Sequence, residues 1–183
     1  MSGDKERFVA FDSNILTYFL EANSGNYRLA PDDSIADQRV AAMRLFLHCG
    51  PEIMPTVRAE ALRIDNAQRL EEHIRFIDGN FGEFIPDDQQ QQSIQRRAAE
   101  LLPFHPKGEN DCRILAEVEE DGDVPVLVTW DGGFRNDLRG RTRIRVESPT
   151  DCWNGFDIPR GTAPKWTPGA GHPLASQDWW RWE

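Results

Sequence analysis

The sequence predicts an α/β protein with a parallel, doubly wound sheet. Strand-like segments alternate with helical ones along the chain, and the clearest strand, residues 124–130, is an almost uninterrupted apolar run. Alternation of strands and helices favours parallel pairing through helical crossovers. A continuous apolar run is typical of a strand that is covered on both faces. We therefore predict a central parallel sheet of four or five strands.

The first strand and helix are predicted at the start of the chain. Residues 6–11 are predicted to form a short buried strand, and Asp12 follows at its end. The apolar residues of segment 13–20 open a helix, with Ser13 or Asn14 as its cap. Asp12 thus stands at the carboxyl end of a predicted strand.

The next third of the chain continues the alternation. Residues 22–33 are rich in Asn, Gly, Asp and Pro and are predicted to form a loop, and residues 35–49 have helical spacing. A second strand is predicted within residues 51–55, where Ile53 and Met54 lie. Thr56 resembles an N-cap for a long or broken helix that extends to about residue 78.

The remaining elements of the body follow in the same order. The segment 84–86 is predicted to be a brief third strand, and Asp87 or Asp88 caps a helix to Leu102. Another helix covers residues 109–120 before the apolar fourth strand, which Asp131 follows directly. A short helix near 134–138 leads to residues 143–147, where charges alternate with apolar residues as on an edge strand.

The segment after the last strand differs in composition from the rest. Five of the six tryptophans lie beyond residue 150, together with many Pro and Gly residues and no clear periodicity. We therefore predict a domain over residues 1–149 and an extension over residues 150–183. The extension is expected to wrap over the body or to mediate assembly, and packing is favoured over base stacking for its tryptophans.

Composition limits the functions that the chain can have. The net charge is -10, which by itself argues against nonspecific binding to nucleic acid. No apolar run approaches the roughly 18 residues that span a bilayer, and no secretory signal is recognised. The cysteines Cys49, Cys112 and Cys152 contain no CxxC pair. A cytoplasmic location is expected.

Four acidic residues occupy comparable positions in the predicted sheet. Asp12 and Asp131 end strands, Glu60 lies in the helix after the second strand, and Asp111 opens the helix before the fourth. Ligands of open α/β sheets bind at the carboxyl ends of the strands. Clustered carboxylates repel one another unless a cation such as Mg²⁺ binds them. Individually, Asp12 could instead cap a helix and Asp131 could belong to a turn.

Four short sequences resemble the motifs of PIN-domain nucleases, in the order of that family. They are an apolar strand ending in Asp12-Ser-Asn14, the segment Pro55-Thr-Val-Arg-Ala-Glu60, the helix start Gly108-Glu109-Asn-Asp111, and Thr129-Trp-Asp131-Gly-Gly-Phe134. The match covers about residues 6–150. The chain departs from short members of the family in its Trp-rich tail and in the long segment 22–38.

The resemblance implies a fold, an activity and a set of residues. The fold would be a PIN-like three-layer α/β/α sandwich, and the activity hydrolysis of RNA by metal-activated water with Mg²⁺ or Mn²⁺. Asp12, Glu60, Asp111 and Asp131 would be catalytic and bind the metal, supported by Asn14, Thr129 and Glu109. Glu109 could equally favour its helix start through the macrodipole. Many compact members are VapC-like toxins, so an antitoxin partner and a homodimer are also expected.

Basic residues near the acidic set are candidates for RNA binding. Arginine donates two parallel hydrogen bonds to phosphate, and several arginines follow Asp131 closely. The candidates are Lys107, Arg135, Arg139 and Arg141. The alternative is a solvated edge strand that its charges protect against pairing.

Two other functions compete with the ribonuclease. One is a catalytically weak scaffold with the same fold, which binds protein partners through its C-terminal tail. The other is a haloacid-dehalogenase-like phosphatase, which needs a second aspartate two positions after the nucleophile. Position 14 is asparagine, which argues against the phosphatase.

Overall fold

The computed structural model describes residues 7–23, 36–172, 174–176, 178 and 181–183. Parts of several sequence predictions lie outside these residues: position 6 of the first strand, most of the loop 22–33, position 35 of the second helix, and the tail residues Trp179 and Trp180. No helix among the described residues is long and apolar enough to cross a membrane.

Five parallel strands form one sheet, as the alternating sequence predicts. They are β1 (Phe8–Phe11), β2 (Gly50–Ile53), β3 (Gly82–Glu83), β4 (Val126–Val128) and β5 (Arg145–Glu147). Their order in the sheet is β3-β2-β1-β4-β5, and every pairing is parallel. β1 and β4 are therefore central neighbours, whereas β5 is an edge strand as expected.

Eight helices among the described residues surround the sheet. They are α1 (Ser13–Asn23), α2 (Ala36–His48), α3 (Pro55–Ala61), α4 (Ala67–Asn80), α5 (Asp88–Leu101), α6 (Glu109–Asp121), α7 (Gly132–Leu138) and α8 (Pro149–Gly155). Helix α2 packs against α8, while α6 packs against α3 and α5. All three residues of β4 are buried, so helices cover the sheet on both faces. The predicted three-layer arrangement is confirmed.

Several local predictions are wrong at the ends of elements. The third strand is Gly82–Glu83 rather than residues 84–86, because its partner β2 ends at Ile53, which pairs with Glu83. Thr56 is not an N-cap: α3 begins at Pro55, and Thr56 instead donates its N–H and hydroxyl to the buried Glu117 carboxylate. The long helix is broken, and Asn66 caps its second half.

The C-terminal extension lies against the body. The Trp166 ring is 6.1 Å from that of Phe46, and the guanidinium carbon of Arg44 lies 4.7 Å from the centroid of the Trp182 ring. The indole N–H of Trp182 donates to the Ile158 carbonyl at 2.8 Å. The described tryptophans of the extension therefore contribute to packing.

A charged pair links α5 to α6. Arg97 donates to Glu119 through Nε at 2.6 Å and through Nη2 at 3.1 Å, and the Thr142 hydroxyl donates to the same carboxylate at 2.6 Å. Burial raises the pKa of Glu119, but the hydrogen bonds from Arg97 and Thr142 outweigh burial and hold this pKa below its ordinary value.

Replacing Arg97 by leucine should lower the free energy of unfolding at pH 7 by about 2 kcal/mol, because a largely buried carboxylate loses its partner. Glu119 has a lower pKa in the folded than in the unfolded protein, so its contribution is complete above pH 4.5 and is lost as the pH falls below that value and through the folded pKa. The difference in stability between wild type and Arg97→Leu should therefore shrink in acid. Urea unfolding of both proteins at pH 7 and at pH 3 measures this difference.

The exposed pair of Arg75 with Glu71 provides the matched control, because both side chains are 73% exposed. Arg75→Leu should change the free energy of unfolding by less than about 0.5 kcal/mol. Equal losses in the two variants would show that Arg97 does not act through the Glu119 carboxylate.

Candidate functional site

Asp12 lies at the centre of the sheet edge where the strands end. Its N–H donates to the Val128 carbonyl at 3.0 Å, which continues the pairing of β1 with β4. Its carbonyl accepts from Ile15 and Leu16, so Asp12 precedes α1 and the predicted cap at Ser13 or Asn14 is wrong. The Asp12 side chain is only 4% exposed.

Hydrogen bonds fix the orientation of the Asp12 carboxylate. Oδ1 accepts from the Ser13 N–H at 2.7 Å, while Oδ2 accepts from Asn14 Nδ2 and from the Thr129 hydroxyl, both at 2.6 Å. Thr129 Oγ1 also accepts from the Asp131 N–H at 3.0 Å. Thr129 therefore links the ends of β1 and β4. Asn14 and Thr129 both contact Asp12, the residue that they are predicted to support.

Glu60, near the end of α3, is held by two polar side chains from other helices. Its Oε2 accepts from the Ser13 hydroxyl and its Oε1 from Asn110 Nδ2. The donors come from the first turns of α1 and α6, which both pack against α3. The fold thus brings Glu60 beside the residues that follow Asp12 and precede Asp111.

Asp111 lies in the first turn of α6 and contacts His105, a residue that was not predicted to belong to the site. Its Oδ2 is 2.8 Å from His105 Nε2, and His105 Nδ1 is 2.7 Å from Asp137 Oδ2. Burial lowers the pKa of His105, but the hydrogen bonds to Asp137 and Asp111 outweigh burial and raise it. His105 therefore bridges two carboxylates and orients Asp111.

Asp131 follows β4, but its side chain serves the next helix. Oδ1 accepts from the N–H groups of Gly133 at 2.7 Å and Phe134 at 3.1 Å, so Asp131 caps α7. The Asp131 side chain is exposed. Its place at the sheet edge agrees with the predicted site, and its hydrogen bonds agree with the alternative of a local structural role.

Two of the predicted acids, Asp111 and Glu60, act electrostatically on a third, Asp12. The pKa of Asp12 is raised from 3.8 to about 6, chiefly by burial and then by the negative charges of Asp111 and Glu60, against the lowering effect of hydrogen bonds from Thr129 and Ser13. No lysine or arginine among the described residues forms an ion pair with Asp12 or Glu60. The structure therefore places the carboxylates of Asp12 and Glu60 close to Asp111 without a described lysine or arginine that pairs with either of them.

The donor set fits a hard divalent cation in its chemistry. Carboxylate and amide oxygens are the ligands that Mg²⁺ prefers, and the buried Asn14 Oδ1 has no hydrogen-bond partner in the structure. Among the described residues, no three carboxylate, imidazole or thiolate groups converge closely enough to hold an ion. Hydrogen bonds to Ser13, Asn110 and His105 explain this separation, so cation binding would have to replace some of them.

The other predicted residues lie around this edge in different settings. Glu109 is the exposed first residue of α6, where its charge is favourable to the helix start. Arg135 is 3.9 Å from Asp151 and donates to the Asp131 carbonyl at 3.4 Å. Lys107, Arg139 and Arg141 are exposed, and none forms an ion pair with a described residue.

Comparison with known proteins identifies the fold. No family model and no curated protein sequence matches the chain. Among solved structures, a chain of VapBC-1 from nontypeable Haemophilus influenzae matches with a TM-score of 0.53 and 16% identity, over 78% of this chain and 98% of that one. The chain has a PIN-like fold. The resemblance that four short motifs suggested is therefore confirmed at the level of the fold.

A second solved structure gives the same result. A chain of VapBC2 from Rickettsia felis, solved bound to a DNA fragment from its promoter, matches with a TM-score of 0.50 and 14% identity. The match covers 76% of this chain and 97% of that one. At these identities the comparisons establish the PIN-like fold, and function has to be argued from the site.

Proposed function

We propose that the chain is a divalent-metal-dependent endoribonuclease that hydrolyses RNA phosphodiester bonds. The observation that carries this proposal is the buried Asp12 carboxylate at the edge of a PIN-like sheet. Its pKa is raised by burial and by Asp111 and Glu60, and no described lysine or arginine pairs with it. Such a cluster favours a cation, and it stands where open α/β sheets bind ligands.

The residues of the chain have distinct roles in this proposal. Asp12, Glu60 and Asp111 would hold Mg²⁺ or Mn²⁺, joined by Asp131 through Oδ2, the oxygen that does not cap α7. A bound divalent ion would activate water for attack on phosphorus and stabilise the leaving oxygen. Thr129 and Asn14 fix Asp12, and His105 positions Asp111.

The exposed cations near the acidic edge account for RNA binding by an acidic protein. The chain has a net charge of -10, so the whole surface repels phosphate. Lys107 precedes α6, and Arg139 and Arg141 follow α7, the helix that Asp131 caps. We propose that these side chains, with Arg135, contact the RNA backbone beside the cleft.

We further propose that the protein is the toxin of a toxin–antitoxin pair in the cytoplasm, that its activity is held by an antitoxin, and that it forms a homodimer. The likeness of its fold to chains of VapBC-1 and VapBC2 supports this proposal. A scaffold that binds partners through the tail has less support, because the described tail tryptophans Trp166 and Trp182 pack against the body.

Incubation with labelled RNA tests the proposed activity. The purified protein should cleave single-stranded RNA with Mg²⁺ or Mn²⁺ and lose all cleavage in chelator, because carboxylates alone cannot activate water sufficiently. A single-stranded DNA of the same sequence shows whether cleavage is specific for RNA. Cleavage that continues unchanged in chelator, or that never occurs with any metal, would refute the proposal.

A further inference from the structure

We propose that Phe104 and Arg141 form a binding site for one unpaired base of the RNA, beside the acidic edge. This inference rests on the proposed function and names a contact to the substrate that the acidic residues do not make. It would make the protein prefer unpaired to duplex RNA.

Phe104 presents an aromatic ring at the protein surface. Its side chain is 44% exposed, and among the described residues the only other large hydrophobic side chain of this kind is Ile85 at 78%. Phe104 ends a short 3₁₀ turn over Leu102–Phe104. An exposed aromatic ring offers a face on which a nucleic-acid base can stack.

Arg141 stacks on this ring. Its guanidinium carbon lies 4.0 Å from the centroid of the Phe104 ring, well within cation–π range. The carbonyl of Arg141 accepts from Arg97 Nη2 at 2.6 Å, so the paired Arg97 fixes the backbone beneath the stack. The Arg141 side chain is exposed and forms no ion pair with a described residue. The stack is therefore positively charged and accessible.

The stack adjoins the candidate site through the chain itself. Phe104 precedes His105, whose ring contacts Asp111 at 2.8 Å and Asp137 at 2.7 Å. Arg141 follows α7, which contains Asp137 and is capped by Asp131. A nucleotide on the stack would therefore lie next to the acidic residues.

An unpaired nucleotide complements this surface. A base stacks on a planar aromatic or guanidinium group whatever its sequence, and the phosphate beside it favours the positive charge. Bases in a duplex already stack on their neighbours and cannot supply such a contact. The plain alternative is that Arg141 only shields an exposed phenylalanine, and the experiment below separates the two.

Binding of a fluorescent single-stranded RNA oligonucleotide tests the proposal by anisotropy. All proteins carry Asp12→Asn, so that binding is measured with Mg²⁺ and without cleavage. Phe104→Leu should weaken binding about tenfold, because it keeps apolar bulk but removes the stacking face. Phe104→Tyr should bind within about twofold of its parent, and Ile85→Ala serves as the matched control at the other exposed position.

Oligonucleotides with single abasic positions identify the contact. Removing the base at one position of the oligonucleotide should lower the affinity of the parent protein about tenfold. The same oligonucleotide should bind to Phe104→Leu as well as the complete one does. Duplex RNA should bind equally to both proteins. The stacking site would be overturned if Phe104→Leu lost as much affinity for duplex RNA as for single-stranded RNA. It would also be overturned if no abasic position reproduced the effect of Phe104→Leu.

The outcome for the proposed function is separate. Suppose that wild-type protein cleaves RNA with Mg²⁺ and that Phe104→Leu binds RNA like its parent. This result would refute the base-binding site and leave the proposed nuclease activity unaffected. Suppose instead that the protein never cleaves RNA, but that removing one base lowers the affinity of the parent and not that of Phe104→Leu. This result would refute the nuclease activity and leave the base-binding site supported. Absence of any RNA binding would refute both.

Discussion

Asp12→Asn should abolish RNA cleavage, with a loss of at least about a hundredfold in rate, while making the metal-free protein more stable. Burial, together with Asp111 and Glu60, raises the pKa of Asp12 from 3.8 to about 6. At 1.36 kcal/mol per pKa unit, the charged Asp12 carboxylate destabilises the folded protein at pH 7 by about 3 kcal/mol. Asparagine avoids that cost and still accepts from the Ser13 N–H.

The gain in stability should depend on pH in a defined direction. Because the folded pKa of Asp12 is above the unfolded one, wild-type stability falls as the pH rises from 3.8 to about 6, and the variant lacks this fall. The amide nitrogen that replaces Oδ2 cannot accept the hydrogen bonds from Asn14 and Thr129, which offsets part of the gain. The advantage of Asp12→Asn should therefore grow to about 1 kcal/mol over that range and stay constant above it. Urea unfolding in chelator measures this difference.

Asp65→Asn is the control for the charge change, because Asp65 is exposed and makes no contact in the structure. It should alter neither cleavage nor stability. Wild-type cleavage by Asp12→Asn would refute the role of Asp12 in catalysis. A variant that is less stable than wild type at pH 7 would show that the hydrogen bonds from Asn14 and Thr129 to the carboxylate outweigh the cost of burying its charge.

The sheet could be predicted because its central strands, β1 and β4, have strong local signals. Residues 124–130 are apolar without alternation, and β4 lies within them, buried throughout. The errors occur where pairing, not composition, sets the boundary. β3 is only Gly82–Glu83, because its length depends on how far the neighbouring β2 offers partners. No periodicity within residues 82–86 contains that information.

The acidic residues could be predicted for a related reason. Parallel strands place their carboxyl ends at one edge, so Asp12 and Asp131 had to lie on the same side of the sheet once their strands were recognised. The partners of the acids had no such signal. Ser13 and Asn110 meet Glu60 across 47 and 50 residues, and only the packing of α1, α3 and α6 brings them together.

The role of His105 could not be predicted from the sequence. Its spacing to other histidines or cysteines indicates no ligand site, and it lies in a Pro-rich connection six residues before Asp111. Its second partner, Asp137, is 32 residues away on α7. Its contacts depend on where α6 and α7 begin relative to each other, which is a property of the folded sheet edge.

Asp131 differs from Asp12 because its carboxylate already has a structural task. Oδ1 caps α7 through the N–H groups of Gly133 and Phe134, so loss of activity in a variant could report either the cap or the charge. Asparagine and aspartate are about equally good N-caps, whereas alanine removes the cap at a cost of about 1 kcal/mol. The two substitutions therefore separate the functions of one side chain.

Asp131→Asn should abolish cleavage, by about a hundredfold or more, while changing the free energy of unfolding by less than about 0.5 kcal/mol. The cap survives because the amide oxygen replaces Oδ1, but the negative charge that would hold a cation is gone. Asp131→Ala should be equally inactive and about 1 kcal/mol less stable. RNA cleavage with Mg²⁺ and urea unfolding in chelator measure both effects. If Asp131→Asn cleaves like wild type and only Asp131→Ala is impaired, Asp131 is a helix cap alone, and the metal site would have to be built from Asp12, Glu60 and Asp111.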